Sequence, residues 1–551
     1  MARNLSNRLT RTEKSWITYD WANSVYATII LAAVFPIYFA EVAGRAGVAG
    51  DVYWGYATSI ATLTVALLAP ILGAIGDFRG MKKRLFSAFL VIGVVFTATM
   101  AMTDLWQMML VGYVFSYVGF AGSLLFYDAF LTDVTTADRM DKVSAWGYAM
   151  GYIGGSTIPF LISIALILFG SSFGIDKTMA VKLSSLLCSF WWAIFSIPML
   201  RQVRQNHYED RPARALIRQS LRNMVKTARD IFKNRAIFTF VLAYFFYIDG
   251  VNTVIHMATV YGSSIGLGTT GMILALLVTQ IVAVPCSIAF SKLAGKWGSV
   301  RMIRTAIIIY FFICTVGFYM GFSLEPSQAA YQGRFSEMVA QAAAADGTAP
   351  LPEPDRAVFV KQVDDLVAAG SAILANDTRQ EDFAHLIGQA VVDTETLYQQ
   401  ASRKPIQAAL QAIGQQSAIY LADKDASAAF EFALKRSSWL FWAMAVLVGT
   451  CQGGIQALSR SFFGKLIPAS RSNEYFGFFD IFGKFAAVMG PALYAMIANL
   501  TGHSSYGILS LMILFLIGLV VLYVGRSHLA KAEHMGAEAA RISRENGNAN
   551  Q

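Results

Sequence analysis

Charged residues are scarce in this chain of 551 residues. Asp, Glu, Lys and Arg make up 14% of it, whereas hydrophobic residues make up 56%. A soluble domain carries roughly 25% charged residues. The composition therefore excludes an ordinary soluble protein and indicates a membrane protein.

The sequence also lacks the motifs of most catalytic chemistry. No G-x-x-x-x-G-K-[ST] loop is present to bind the phosphates of ATP, no H-E-x-x-H motif or Cys/His cluster is present to bind a metal, and no G-x-S-x-G motif marks a nucleophilic serine. The four cysteines all fall within apolar runs, where a disulfide is not expected: Cys188, Cys286, Cys314 and Cys451. We therefore expect no enzyme activity, no cofactor and no metal.

Long apolar runs, in contrast, are abundant. A helix needs about 20 apolar residues to cross a bilayer core of about 30 Å. The first run has no cleavage-site pattern, so we expect it to remain in the protein. Together the runs predict an all-α membrane protein with twelve transmembrane helices, here called spans one to twelve: 16–42, 53–75, 85–102, 106–127, 143–170, 179–200, 236–262, 270–290, 302–323, 438–458, 475–500 and 505–524.

The positive charges are distributed unevenly between the two sides of the predicted membrane. The two chain ends and the links after even-numbered spans hold most of the Lys and Arg, whereas the short links on the other side hold only Arg45, Lys177 and Lys182. This positive-inside pattern predicts cytoplasmic N- and C-termini in a plasma membrane, the inner membrane of a bacterium. Topology therefore explains the net charge of +9, and we expect no nucleic-acid partner.

Two longer segments interrupt the short links. Residues 201–235 place apolar side chains at helical spacing opposite basic ones, which predicts an amphipathic helix along the inner membrane surface. Residues 324–436 contain more acidic than basic side chains and no run long enough to span. Short apolar stripes at 383–391 and 406–413, separated by Pro405, predict a small helical extracytoplasmic insertion.

The two halves of the chain resemble each other weakly. Residues 122–139 align without gaps with 454–471, which places Asp128 opposite Arg460. Internal repeats of six spans are typical of alternating-access carriers. We expect a division into an N-terminal six-helix half at 1–200, a cytoplasmic linker at 201–235, a C-terminal six-helix half at 236–323 and 437–525, the insertion at 324–436 and a cytoplasmic tail at 526–551.

The link between spans two and three, GAIGDFRGMKKRL at 73–85, has room only for a tight turn, which its glycines allow. Its pattern G-x-x-x-D-x-x-G-x-K-K resembles the signature of major facilitator superfamily transporters between helices two and three. In that family the acid caps a helix of the other half and latches one state of the carrier. The resemblance implies a conformational latch made of Gly73, Asp77, Arg79, Gly80, Lys82, Lys83, Arg84 and Asp128.

The link departs from the superfamily pattern at one position. An arginine usually follows the second glycine, where this chain has Met81. The ion pair that this arginine makes with an acid of span four, for which Asp128 is the candidate, must come from Arg79 or Arg84, or be missing.

Several polar side chains lie within the predicted spans, where an unpaired charge costs at least ~3 kcal/mol and needs a partner or a water-filled cavity. Asp249 is the deepest and has no base on its own helix, so it is the strongest candidate for solute or proton binding. Asp480 and Lys484 lie one turn apart and either neutralise each other or hold the two ends of a zwitterion. The full candidate set is Asp249, Asn252, His256, Asp20, Asn23, Gln452, Gln456, Asp480 and Lys484.

These candidates also have structural interpretations. Asp480 and its lysine can form a self-satisfied pair, and His256 can be a hydrogen-bonded histidine near the outer surface. Asp20 can cap span one or meet a cytoplasmic base. The two glutamines can bond between helices without touching a solute.

A resemblance to one family rests on five longer motifs, which are YDWANSVYAT at 19–28, FYDAF at 126–130, DGVNT at 249–253, QGGIQALSRS at 452–461 and FDIFGK at 479–484. They are similar to motifs of the vacuolar amino-acid effluxer family and its bacterial relatives. The resemblance covers all twelve spans but not the insertion. It implies the major facilitator fold and the transport of small amphipathic solutes.

We therefore expect a secondary active transporter that moves a small solute, such as an amino acid or a related metabolite, by alternating access. Proton coupling is expected from the buried Asp249 and the missing ATP motif. The expected partners are the solute, membrane lipid and protons, and the chain is expected to be a monomer. Two alternatives stay open: a membrane-anchored receptor or scaffold that acts through the insertion, and a flippase for lipids or cell-wall fragments.

Overall fold

The computed structural model describes residues 8–46, 48, 50–209, 216–264, 267, 269–344 and 424–533. Within these ranges the protein is almost entirely helical. The one isolated β-bridge found there pairs Phe78, in the link after span two, with Glu209, beyond span six. The prediction of an all-α membrane protein is confirmed.

Eleven helices in the described ranges are long and apolar enough to cross a membrane, and they correspond to spans two to twelve. Span five is interrupted by a π-helical segment, and the others are single helices. Their bounds in chain order are Gly50–Gly76, Met81–Met100, Trp106–Ala129, Met140–Met150 with Gly151–Thr157 and Ile158–Phe169, Lys177–Gln202, Arg235–Ser264, Thr269–Trp297, Ser299–Ala344, Lys424–Leu466, Ser472–Thr501 and Ser504–Val524.

Span one is the remaining predicted helix, and it is also broken by a π-helical segment. It consists of Arg11–Tyr26, Ala27–Ala33 and Phe35–Arg45. A capping box begins it, because Thr10 and Glu13 each accept a hydrogen bond from the other's backbone N–H. Its aromatic side chains are buried except for the half-buried Trp21, so span one lies inside the bundle.

The π-helical part of span five packs tightly against span one. A Cβ atom on Gly154 would overlap the ring of Trp21, and one on Gly155 would overlap Ser24. Small residues of this kind allow two membrane helices to approach closely. The glycines of span five therefore fix how the helices of the N-terminal half pack.

The insertion predicted at 324–436 is described only at its edges. The helix of span nine continues to Ala344 and that of span ten begins at Lys424, so both helices extend beyond the membrane-spanning parts Ser299–Leu324 and Phe432–Leu466. The predicted bounds therefore do not coincide with helix ends. The stripes at 383–391 and 406–413 lie outside the described residues.

The linker between the halves contains the helix Leu216–Lys233, as the apolar spacing predicts. Ile231 is buried, whereas Val225 and Phe232 are exposed. Asp230 accepts a hydrogen bond from Arg471 Nη1 at 3.0 Å, which ties this helix to the link after span ten. Its place at the membrane surface stays a prediction.

The links rich in basic residues gather at one end of the bundle, here called the basic end. Asp133, after span four, accepts hydrogen bonds from the backbone N–H groups of Asn206 and His207, beyond span six, each at 2.8 Å. Glu533, beyond span twelve, accepts one from the N–H of Ser299 at 2.7 Å. These contacts connect links that are far apart in the chain.

The two halves are joined at the basic end by polar contacts. Asp141, in the first turn of span five, accepts hydrogen bonds from Lys465 of span ten at 2.6 Å and from Ser299 of span nine at 2.9 Å. Ser144, one turn further along, donates to the backbone oxygen of Ala457 at 2.8 Å. The basic end is therefore closed between the halves.

Candidate functional site

Asp77 caps the first turn of span eleven, in the other half of the molecule. Its Oδ1 accepts hydrogen bonds from the backbone N and the side-chain Nδ2 of Asn473 at 2.9 and 2.8 Å, and its Oδ2 accepts one from the N–H of Glu474 at 3.0 Å. Span eleven begins at Ser472, so these are N–H groups that have no partner within the helix. A carboxylate at a helix N-terminus also interacts favourably with the helix dipole.

The packing around this cap requires glycine. A Cβ atom on Gly73 would lie 2.5 Å from the backbone oxygen of Asn473. Gly80 has a φ of 74°, the left-handed region that favours glycine, and it precedes span three. The arrangement places Asp77 as the family resemblance implies, and its role as a latch stays a prediction.

The carboxyl of Asp77 is fully buried. Burial raises its pKa to about 7, although the nearby Lys82 and the donors of Asn473 and Glu474 act in the opposite direction. The carboxyl therefore titrates near neutral pH while the basic end is closed.

Lys82 forms the ion pair that was expected from an arginine. Its Nζ is buried and donates hydrogen bonds to Asp133 Oδ2 at 2.6 Å, to Ser472 Oγ at 2.9 Å and to the backbone oxygen of Ala129 at 3.3 Å. The partner is thus Asp133, in the short helix Leu131–Val134, and not Asp128.

Among the residues that the structure describes, the ion pair of Asp128 with Arg79 or Arg84 is missing, which is one of the alternatives that the sequence left open. Arg84 is exposed, and Arg79 lies over the ring of Tyr208, 5.3 Å from its centre. Lys83 donates to the backbone oxygen of Val203 at 2.8 Å. Only Lys82 lies on the face of span three that is turned into the bundle, and therefore it reaches the acid.

Asp128 pairs instead with Arg460, across the boundary between the halves. Arg460 Nη1 lies 3.0 Å from Asp128 Oδ1, and Nη2 lies 3.3 Å from Asp20 Oδ2. The same guanidinium donates from Nε to Ser144 Oγ at 2.9 Å and from Nη2 to the Ser144 backbone oxygen at 3.1 Å. One arginine of span ten therefore holds spans one, four and five.

Aromatic rings enclose this guanidinium. Its carbon lies 4.7 Å from the ring centre of Trp16, 5.3 Å from that of Tyr127 and 4.6 Å from that of Tyr148. The hydroxyl of Tyr127 donates to Asp20 Oδ2 at 2.7 Å. Such cation–π contacts are strongest where water is excluded, and the side chain of Arg460 is only 4% exposed.

Arg460 was not among the sequence candidates. The gapless alignment of 122–139 with 454–471 places it opposite Asp128, but that alignment alone does not indicate a contact. The motif QALSRS at 456–461 was used only as a family resemblance. The cluster of Arg460 with Asp20 and Asp128 thus joins two predicted acids through a base that the sequence analysis did not select.

Asp480 and Lys484 form an ion pair on one face of span eleven, as the spacing predicts. Their side chains remain 25% and 13% exposed, and that of Asp128 remains 29% exposed. Asp480 lies close enough to Asp128 for the two carboxylates to repel each other. The arrangement therefore brings two ion pairs together, one within span eleven and one between the halves, and in each pair the carboxylate is more exposed than the cation.

Asp249 is fully buried against the backbone of span eleven. Its Oδ1 accepts a hydrogen bond from the N–H of Gly490 at 2.8 Å. Its Oδ2 and the hydroxyl oxygen of Thr253 are buried, and in the described part of the chain neither has a hydrogen-bond partner. A Cβ atom on Gly490 would overlap the Thr253 hydroxyl and lie 2.6 Å from Asp249 Oδ1. Spans seven and eleven are thus in direct contact at this carboxyl.

The other predicted residues occupy varied environments. Asn252 is half-buried and His256 is exposed, so the polar stripe of span seven passes from the interior to an exposed position. Asn23 is buried, and its Nδ2 has no partner within the described ranges. Gln452 is buried in span ten, whereas Gln456 is half-buried. Within the described residues, no hydrogen bond links any of these five side chains to Asp249.

Comparison with known proteins relates the chain to one transporter family. Residues 51–351 and 430–534 match the family model described as vacuole effluxer Atg22 like. The MFS-type transporter YxiO of Bacillus subtilis is 36% identical over 525 residues, which cover 94% of this chain and 95% of YxiO. Autophagy-related protein 22 of Saccharomyces cerevisiae is 30% identical over 91 residues, which cover 16% of this chain and 17% of that protein.

Solved structures agree with this relationship at the level of the fold. A bacterial homologue of the iron transporter ferroportin, crystallised in an outward-facing state with soaked iron, superposes with a TM-score of 0.53. The alignment covers 94% of this chain and 98% of that one, at 11% sequence identity. The likeness shows the major facilitator fold alone. The relatives and structural neighbours are transporters, which agrees with the prediction that the chain is not an enzyme.

Proposed function

We propose that this chain is a proton-coupled carrier of a small zwitterionic solute. The premise is that the chain belongs to the Atg22-like vacuole effluxer family of MFS-type transporters. The protein is an integral multi-pass membrane protein that carries a small molecule. The finer assignment rests mainly on one observation, the buried contact of Arg460 with Asp128 and Asp20 across the two halves.

This contact belongs to one state of an alternating-access cycle. Asp77, Asp141 and Arg460 all join the halves at the basic end. Moving the halves apart at that end would separate Arg460 from both carboxylates. The positive-inside pattern makes the basic end cytoplasmic, so the closed arrangement corresponds to an outward-facing carrier, the state in which the bacterial ferroportin homologue was crystallised.

The partly exposed ion pairs suit a solute that carries both charges. Asp128 and Asp480 offer carboxylates to an ammonium group, and Arg460 and Lys484 offer cations to a carboxylate group. The two charged groups of a zwitterion can replace the partners within such ion pairs, so that no charge is left unpaired. An unpaired charge in a medium of low dielectric has a high free-energy cost. An amino acid has this charge distribution, and the family resemblance favours the same class.

Asp249 supports proton coupling. One of its oxygens is held by Gly490 and the other has no partner within the described residues, although the side chain is fully buried. A charge without a partner at this depth costs several kcal/mol, and a proton bound at Oδ2 removes it. We place this carrier as a monomer in a bacterial inner membrane with both termini cytoplasmic.

Counterflow in proteoliposomes tests the solute assignment. Vesicles loaded with one unlabelled amino acid at a time should accumulate the labelled form, and the R460Q variant should lose this exchange. The matched control is R201Q, at an exposed arginine beyond the cluster. Exchange that is equal in R460Q and R201Q contradicts the assigned site, and the absence of exchange for every zwitterion contradicts the solute class.

A second measurement tests the coupling ion. A pH gradient should drive accumulation of the solute in the wild type, whereas the D249N variant should still exchange solute but should no longer accumulate it when the pH gradient is applied. If solute accumulation in D249N depends on the pH gradient as it does in the wild type, then Asp249 is not the coupling residue.

A further inference from the structure

A groove on the surface of the C-terminal half runs between spans nine and twelve at the basic end. Its volume is about 460 Å³. Ile308, Leu519 and Val520 form its apolar wall, and Arg301 and Arg304 lie at its other end. Ile308 follows Arg301 by seven residues, which is roughly 10 Å along the helix. The groove is therefore basic where span nine begins and apolar where that span enters the membrane.

The same two arginines line a larger cleft of about 750 Å³, which reaches between the two halves. Lys296 and Arg526 add positive charge to its wall. The guanidinium of Arg526 lies 4.4 Å from the ring centre of Tyr523, another residue of the groove. The groove and the cleft are thus continuous through the arginines.

The acidic groups of the cleft are occupied by other partners. Asp141 accepts hydrogen bonds from Lys465, and Glu533 accepts one from the backbone N–H of Ser299. Asp138, the third acid, also has a partner. In the described part of the chain no hydrogen bond or ion pair to a protein group is found for the guanidinium group of Arg301 or of Arg304. The positive charge of the cleft is therefore not neutralised by its own acids.

We propose that this groove binds an anionic phospholipid, with the phosphate at Arg301 and Arg304 and one acyl chain along Ile308, Leu519 and Val520. An apolar groove in the bilayer accepts any acyl chain, but two arginines without a protein partner add a preference for negative charge. Guanidinium groups bind phosphate oxygens through paired, charge-assisted hydrogen bonds.

Native mass spectrometry of the full-length protein, titrated with phosphatidylglycerol or phosphatidylcholine of the same acyl chains, tests the site. The wild type should bind phosphatidylglycerol at least about tenfold more tightly. The R301Q/R304Q variant should lose most of this preference, since each basic residue near an anionic lipid contributes about fivefold in affinity. A variant that keeps the wild-type preference overturns the proposal.

The R201Q/R204Q variant is the matched control. Arg201 and Arg204 are exposed, lie at the basic end with the same spacing as Arg301 and Arg304, and line neither the groove nor the cleft. The control should keep the wild-type preference. An equal loss in both double variants would mean that surface charge alone attracts the lipid, and it would overturn the site.

A variant that leaves every charge in place tests the acyl chain. V520W should fill the groove and lower the affinity for phosphatidylglycerol, whereas V524W, at a more exposed position outside the groove, should not. Equal affinities in V520W and V524W contradict the acyl-chain position. An excess of inorganic phosphate should compete only weakly, and full displacement by phosphate would mean that the site binds the free anion and not the lipid.

Discussion

Lys82 and Asp133 form an ion pair in which neither side chain is exposed, with Nζ 2.6 Å from Oδ2. The lysine also lies over the ring of Phe130 and donates to Ser472, at the start of span eleven. It therefore anchors the link of spans two and three to its own half and at the same time contacts the other half. A lysine of this link, one position after Met81, thus makes an ion pair with an acid that follows span four.

Removal of Lys82 should destabilise the protein strongly. K82M leaves the Asp133 carboxylate buried without its cation, which costs about 3–5 kcal/mol. K82M/D133N should be more stable than K82M, because it removes both charges and keeps an acceptor for the N–H groups of Asn206 and His207. Apparent melting temperatures in detergent check this order. R84Q, at an exposed position, should change stability by no more than about 0.5 kcal/mol, and an equally large loss in R84Q contradicts the interpretation.

Removal of the Asp77 carboxyl should open the basic end. D77A leaves the N–H groups of Asn473 and Glu474 without their acceptor, so the closed arrangement loses its cap. Ala457 is fully buried between the halves. In a background without native cysteines, A457C should react faster with a maleimide when D77A is present.

The control for this experiment is D104A, at an exposed acid of the opposite end. It should leave the labelling rate of A457C unchanged. If D77A is labelled no faster than D104A, then Asp77 does not hold the basic end closed.

Acidification should favour the closed arrangement. Burial raises the pKa of Asp77 to about 7 when the end is closed, whereas a hydrated carboxyl in the open state returns to the usual range. The closed state therefore binds a proton more tightly, and it gains stability as the pH falls from about 8 to about 6. Labelling of A457C, relative to an exposed reference cysteine, should slow over this range in the wild type and stay constant in D77N. Faster labelling at low pH has the opposite sign and contradicts the linkage.

Substitution of Gly490 should separate spans seven and eleven. The methyl group of G490A would overlap the Thr253 hydroxyl and crowd Asp249 Oδ1, so the melting temperature should fall and pH-gradient-driven accumulation should be lost. G55A is the matched control, because a Cβ atom there meets nothing within 4 Å. That variant should be as stable as the wild type or slightly more, since alanine favours a helix by roughly 0.5–1 kcal/mol over glycine. If G490A and G55A have the same melting temperature and the same accumulation, the tight contact at Asp249 is contradicted.

The link between spans two and three shows which features of the structure a local sequence pattern can predict. The glycines at 73–85 predicted a tight turn, and the family resemblance implied that Asp77 caps a helix of the other half, which it does. The partners of the basic residues were left open, and Lys82 forms an ion pair with Asp133 that the sequence analysis did not name. Periodicity indicates the face of span three that a lysine occupies only to within about one helical turn. The distances from that lysine to Asp128 and Asp133 depend on how span four ends, which is in the short helix Leu131–Val134.

The candidate site shows the same limit. Asp20, Asp249 and the pair on span eleven were selected because charges within apolar runs need partners, and Asp128 was selected from the family resemblance. The pair on span eleven is local, whereas the partners of Asp20, Asp128 and Asp249 come from helices that are far apart in the chain.

The sequence by itself determined the all-helical membrane architecture, because hydropathy, helix length and turn motifs are local properties of a chain in a bilayer. Only the tertiary structure decided that Arg460 lies between two acids of the other half, that Lys82 pairs with Asp133 and that the N–H of Gly490 donates to Asp249. These contacts depend on rotations and crossings of whole helices, which no single segment encodes.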